Sequence, residues 1–364
     1  MSFCPQSNTH DIEYTVHLSS PNCLCEAKSS TGVDFFKFFF AVCIVALHTS
    51  AIDFLPETIN YFITKLVFRV AVPYFFVASG FFLGQKLSNT TPENYQNIIC
   101  AYCLRLLKAL VFFEIISIAF YGLSYLKSGI SLVKTILLLG QSIVFYPKGA
   151  LWYVQACIIG VLLLYPFLRK NKFKFALVLG VFLYGFALLA NNYSFLIVNT
   201  PLEPIIKTYL RYCISARNGL FTGFISIAIG ILCSNLYPIV NKKRLLNILL
   251  LLITFGVYVA EVLMIRFLNK TPLDDSSLYI THLFFVPVLF LVTLQFKIPI
   301  APKVSVTLRN FSTGIYFLHR PILYIVGYFI SAGWLSFAIV LFTALAICLI
   351  VYETKPPLLY SLLK

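Results

Sequence analysis

The sequence predicts an all-α, polytopic membrane helical bundle of about ten transmembrane helices plus one re-entrant or interfacial segment. Three observations predict it. Hydrophobic residues make up 60% of the 364 positions and charged residues only 11%, against about 25% charged in a soluble domain, whose surface must be wetted. Mean hydropathy is +0.89, so lipid has to solvate most of the surface. Apolar runs recur along the whole chain at lengths near the roughly 20 residues that one span needs.

Taken in order, the runs are 33–52, 60–84, 99–122, 131–146, 150–168, 173–191, 219–237, 245–265, 278–296, 313–331 and 334–352. Charge decides which of them cross. With the N-terminus inside, the first loop (Asp53, Glu57) falls outside and Lys86 inside. Were 131–146 also to span, the loop Arg169, Lys170, Lys172, Lys174 would lie outside, against the positive-inside pattern. Read as re-entrant or interfacial, that short segment leaves this loop, Lys242-Lys243-Arg244, Lys297, Lys303, Arg309, Lys355 and Lys364 all on the cytoplasmic side. The expectation is a multi-pass protein of the plasma (inner) membrane with both termini cytoplasmic. A transmembrane domain covers 31–356, and residues 1–30 form a disordered cytoplasmic tail without the pattern of a cleavable signal peptide. Segments 123–149, 192–218 and 266–277 then lie outside, the first two long enough to form a vestibule.

The net charge is +15. In a soluble chain that would suggest nucleic acid, but here the basic residues sit in short connections between apolar runs. The implied partner is anionic membrane lipid, and no nucleic acid is expected. Ten cysteines show no metal-ligand spacing; most lie in or beside apolar runs, where free Cys behaves as a small hydrophobe, so no metal site is predicted. The chain has no HExxH, Walker loop, dinucleotide glycine loop or Ser nucleophile elbow. That argues against a metalloprotease, an ATPase, a nicotinamide enzyme and a soluble-type hydrolase.

An ionisable side chain inside a span costs at least about 2.5–3.5 kcal/mol, so such residues face a cavity or a partner and mark where function should be sought. On the first helix, Asp34 and Lys37 precede an apolar run to His48. Eleven residues bring His48 within about 20° of the face of Lys37, some 16 Å further along the axis. Alone, Lys37 reads equally as a snorkelling anchor and His48 as a structural histidine; their shared face favours a polar path. Arg69 is an interface anchor or a cavity residue. It precedes Pro73, which kinks a helix, and Ser79-Gly80, which permits close helix approach. Arg105 and Lys108 are i,i+3 neighbours that either grip an anionic cofactor or anchor the helix end. Trp152, Arg217, Asp274-Asp275-Ser276 with His282 beyond, and His319 complete the polar set. Glu114 and Glu261 are lone carboxyl groups in apolar runs, each open to a structural or a direct role.

Four of these stretches carry a resemblance. Asp34-x-x-Lys37 with His48, Val72-Pro73-Tyr-Phe-Phe-Val-Ala-Ser79-Gly80, Leu151-Trp152-Tyr153 and Ser312-Thr-Gly314-Ile-Tyr316-Phe-Leu-His319-Arg-Pro321 together resemble the motifs of the acyltransferase-3 family, in family order from residue 33 to about 330. The resemblance implies transfer of an acyl group, foremost acetyl, from cytoplasmic acyl-CoA. The acceptor it implies is a hydroxyl of an envelope polysaccharide, a wall precursor or another small molecule. It implies His48 as catalytic base and Lys37, Arg105 and Lys108 as cofactor-binding residues for the coenzyme's phosphates, although Lys37 departs from the commoner Arg. Arg69 is the cation at the depth of His48 that would stabilise an oxyanion; Asp34, Trp152, Arg217 and His319 are expected to line the cavity. A second set, Phe68-Arg69-Val-Ala-Val-Pro73, Ala216-Arg217-Asn218-Gly219 and Asp275-Ser276-Ser-Leu-Tyr, resembles the membrane half of the membrane-bound serine racemases of vancomycin resistance. That half belongs to the same superfamily and is thought to take up serine. No racemase portion is expected beyond Lys355-Pro356-Pro357, and the alternative function this likeness implies is an amino-acid (serine) carrier without acyl transfer.

Overall fold

The computed structural model describes residues 30–268 and 271–363, so the expected tail lies outside the described residues apart from Ser30. The Ser30 hydroxyl accepts from Val33 N and caps the first helix. Among the described residues there are fourteen α-helices and no strand. In chain order they are α1 (Thr31–His48), α2 (Glu57–Leu66), α3 (Ala71–Ser88), α4 (Tyr95–Lys127), α5 (Leu132–Phe145), α6 (Trp152–Arg169) and α7 (Phe173–Ala190). Then come α8 (Leu202–Cys213), α9 (Phe224–Val240), α10 (Arg244–Leu268), α11 (His282–Gln295), α12 (Pro302–Val326), α13 (Trp334–Thr354) and α14 (Pro357–Leu363).

Side-chain partners fix which ends meet. At the Asp34 end of α1, Ser305 Oγ of α12 donates to Asp34 at 2.7 Å, Ile298 N donates to Thr31 at 2.9 Å and Gln295 reaches Val240 O. At the His48 end, Gly333 N donates to Thr49 O at 2.7 Å, Ser277 N to Asn191, and Arg320 to Tyr121. Ten helices (α1, α3, α4, α6, α7, α9, α10, α11, α12, α13) therefore run alternately up and down the bundle. Among the described residues eight stretches are apolar and long enough to cross on length and composition alone. The other two crossings are α11, with 14 residues, and α12, whose first turns carry Lys303 and Arg309. Both connections of α5 lie at the His48 end, so it does not cross, which is the re-entrant or interfacial segment. Its outward Val133, Ile136, Leu137 and Val144 are exposed, as a lipid-facing helix requires. The basic loops 169–174 and 242–244 and the start of α12 all gather at the Asp34 end.

Three boundaries differ from the sequence reading. The run 60–84 is not one helix kinked at Pro73. A single 3₁₀ turn, Phe68–Val70, joins α2 to α3, and Pro73 sits in the first turn of α3, where a missing N–H is harmless. The break puts Arg69 at the joint. The segment 192–218 holds a helix, α8, and α12 begins eleven residues before its apolar run.

The tightest crossing is α3 on α9. A Cβ placed on Gly80 would lie 2.2 Å from Ile227 O, and one on Gly230 2.3 Å from Val77 O; Gly84 faces Ser234 one turn on. Small residues four apart on both helices let the backbones touch, which is how membrane helices gain packing energy without a hydrophobic drive. Gly230→Ala should therefore cost about 1–3 kcal/mol through forced separation, read as a lower melting temperature in detergent. Gly185→Ala, with nothing near its Cβ position, should leave melting unchanged.

Candidate active site

His48 is the last residue of α1 and its ring lines two cavities. The deeper one is the more enclosed and lies between α1, α3, α6, α9 and the start of α11. The other opens between the ends of α4 and α12 and the chain before α13, where Ser117, Tyr121 and Tyr324 line it. His319 stacks on His48 with ring centres 5.4 Å apart. Its Nδ1 lies 2.7 Å from Tyr316 O and 3.1 Å from Ile315 O, so that nitrogen carries the proton, and Nε2 is buried without a partner. Arg320, tied to the Tyr121 hydroxyl, brings Nη1 to 3.5 Å from His48 Nδ1. A guanidinium only donates, so this Nδ1 offers its lone pair.

Across the deep cavity, Arg69 holds Asp275 through two parallel bonds of 2.9 and 3.0 Å, and Arg217 Nη1 reaches the same carboxylate at 2.7 Å. The Arg217 guanidinium lies 5.3 Å from the Trp152 ring centre and 5.5 Å from that of Tyr146. Trp152 and Tyr146 are themselves stacked. The neighbouring Asp274 turns away, accepting from Ser215 Oγ at 2.7 Å and Ala216 N at 3.1 Å, which fixes the loop that presents Arg217.

The stretch 274–281 that carries these residues is irregular backbone enclosed in the bundle. Asn191 Oδ1 accepts from Ser277 N and Leu278 N, both at 2.9 Å, and Asn192 Nδ2 donates to Leu278 O at 2.8 Å. The Tyr184 hydroxyl donates to Tyr279 O at 2.9 Å. Glu261 is not the lone carboxyl the sequence suggested: it accepts from Ile280 N (2.7 Å), Thr281 N (2.9 Å) and the hydroxyls of Thr281 and Tyr193. His282, next along, bonds the Tyr258 hydroxyl through Nε2 at 3.1 Å, and that hydroxyl donates to Lys65 O. His282 Nδ1 is left without a partner in a residue that lines the deep cavity.

At the other end of α1, Lys37 lies 4.5 Å over the Phe82 ring, within electrostatic range of Asp34, Arg309 and Arg105. Asp34 is engaged by Ser305 rather than lining the cavity. Lys108 is exposed and is not among the charges around Lys37; Arg309, unforeseen, takes that place. Between this cluster and the cavity, whose α1 lining stops at Ile44, buried Phe40 and Tyr74 pack 4.8 Å apart. Of the predicted residues, His48, Arg69, Trp152 and Arg217 meet on one cavity, with His319 behind His48. The sequence reading did not single out Arg320, Tyr258 or the Asn191-Asn192 pair. An Asn pair ending an apolar run was the available signal for the last.

A family model described as an acyltransferase domain, acyltransferase family 3, matches residues 30–353. The chain is a member of the acyltransferase-3 family. This family member is also 28% identical over 301 residues to an amino-acid racemase of Enterococcus faecalis, an overlap of 82% of this chain and 41% of that protein. It is 30% identical over 205 residues to a serine/alanine racemase of Enterococcus gallinarum, covering 55% of this chain and 28% of the relative. The chain thus spans less than half the length of the curated relatives it matches. No solved structure matches it.

In this acyltransferase-3 bundle the Glu261 cluster is a structural keystone. Glu261→Gln turns an acceptor toward donors that then lose it. Hydrogen bonds to a charged group are worth about 1.5–3 kcal/mol, and the variant should lose at least that much stability. The expected readout is a lower melting temperature with faster amide exchange confined to 278–282; unchanged exchange there would contradict it.

Proposed function

We propose that this protein transfers an acyl group, foremost acetyl, from cytoplasmic acyl-CoA to a hydroxyl of an envelope carbohydrate, a wall precursor or a related small acceptor. The observation that carries the reading is the Nδ1 lone pair of His48, a ring that lines two cavities at once. In the proposed reaction the acceptor hydroxyl displaces Arg320 from its long 3.5 Å contact and gives its proton to His48 as it attacks the thioester carbonyl. The thiolate leaves and takes up the proton. Arg69, with an unpartnered Nε–H, supports the oxyanion. Lys37, Arg105 and Arg309 at the opposite end of α1 hold the coenzyme's phosphates. The thioester must then pass the Phe40–Tyr74 contact, so those rings swing aside when the coenzyme binds.

A second reading has its own support. Relatives named racemases of serine and alanine, and a cavity closed off from the Lys37 end, favour a carrier for a small amino acid.

One purified preparation separates the two. His48→Gln should lower acyl transfer by about 10²–10⁴-fold while coenzyme A binding persists, and Lys37→Ala should weaken that binding. Saturable serine exchange in proteoliposomes, without coenzyme A binding, would replace the transferase reading with the carrier. The same proposal places the Lys37 end in the cytoplasm. A cysteine put at Asn171 or Lys243 should then resist an impermeant thiol reagent in intact cells, and labelling of position 171 from outside would invert the orientation.

A further inference from the structure

The deep cavity beside His48 carries a charge imbalance that catalysis does not use. The charged groups on its wall are Arg69 and Arg217, and the rest is largely apolar: Ile44, Leu47, Val72 and Leu283 among others. Both guanidinium groups hold Asp275, the Lys65 ammonium lies within electrostatic range of it, and Asp274 is committed to Ser215 and Ala216. Three cations thus face two carboxyl groups, and even with both ionised one positive charge is left over. Of the two cations that line the cavity Arg217 is the less engaged, because Arg69 spends both Nη groups on Asp275 whereas Arg217 engages it through Nη1. The Arg217 Nε is buried with no acceptor. Tyr146 and Trp152 hold the plane of its guanidinium, so its free edge is pre-oriented, and Arg217 and Trp152 both line the cavity. A cation in an apolar, enclosed space attracts a counter-charge far more strongly than one in water.

We propose that this cavity binds a small molecule bearing a carboxylate, its anionic end on Arg217 and its remainder toward His48. The planar fork of Arg matches a carboxylate in two parallel bonds. A single negative charge balances the surplus, whereas a phosphate monoester brings about 1.5–2 charges and would leave the site negative. The inference deepens the transferase reading and rests on it for one point only, that this ligand is the acyl acceptor: a hydroxyl-bearing carboxylate whose acid group is recognised and whose hydroxyl is acylated. The binding itself stands apart from that reading.

The test is saturation-transfer NMR on the full chain in nanodiscs of zwitterionic lipid, with glycerate as probe and glyceramide as its neutral counterpart, and no acyl donor present. Glycerate should give a saturable signal and glyceramide none. Arg217→Gln should weaken glycerate at least 10-fold, the lower bound set by losing one charge-assisted contact. Asp275→Asn supplies the opposite sign: removing the internal counter-charge should tighten glycerate severalfold, where a purely structural role for the cluster predicts weakening. Size-exclusion profiles establish that each variant is folded, and Asp275→Asn still decides the matter if Arg217→Gln is not. Equal signals from glycerate and glyceramide, no signal from either, or weakening in folded Asp275→Asn would overturn the proposal. With acetyl-CoA then added, glycerate binding without formation of O-acetylglycerate would remove the ligand's role as acyl acceptor and leave the carboxylate site in place.

Discussion

Backbone that is not helical has nowhere to find hydrogen bonds inside a bilayer, and the rest of this structure is arranged around that requirement. At about 1.5 Å per residue, α11 spans only some 21 Å of a hydrocarbon core near 30 Å. The chain before it, 274–281, has to complete the crossing without helical bonds of its own. The side chains that meet this need are drawn from elsewhere: Lys65 from α2, Asn191 and Asn192 from the end of α7, Tyr184 from α7, and Glu261 from α10. A carboxylate inside an apolar helix is costly unless donors surround it, and here the irregular backbone supplies them. Each defect satisfies the other.

That mutual satisfaction is what makes a polar site tenable between lipid-facing helices. Once 274–281 is fixed, Asp275 stands where the 3₁₀ joint between α2 and α3 delivers Arg69, and Asp274 ties down the loop that delivers Arg217. The π-turn Gly219–Gly223 that follows Arg217 is capped by Asn218, whose Oδ1 accepts from Leu220 N and Phe221 N. Irregular elements from three parts of the chain thus converge on one carboxylate. The regular helices set the distance between the two ends of the bundle; the breaks in them build the chemistry.

The contrast explains what could be read from the chain beforehand. Apolar run length and the side on which Lys and Arg accumulate are local properties, so α1, α6, α7, α9 and α13 and the non-crossing α5 were visible to within a few residues. The shared face of Lys37 and His48 follows from helical spacing alone. Arg69 and Asp275, in contrast, lie 206 positions apart, and neither carries a local mark of the other. Glu261 looked isolated because its partners come from Tyr193 and from a loop twenty residues on. Arg309 was read as a loop charge because hydropathy begins only after it, although the helix begins at Pro302. Backbone breaks such as Phe68–Val70 leave no trace in hydropathy, which counts side chains and not hydrogen bonds.

His48 lines both cavities, so a single imidazole is part of the wall between an enclosed compartment and a more open one. In the proposed reaction chemistry and insulation are then vested in the same ring. A smaller side chain at this position does more than remove a nitrogen: it joins the two spaces and admits water to the deeper one. An acyl group that was passed to a chosen hydroxyl would then meet a solvent of competing nucleophiles. Under the proposed reaction this position has to satisfy volume as well as basicity, and a residue of the right size without the right nitrogen would leave the bundle sealed and silent.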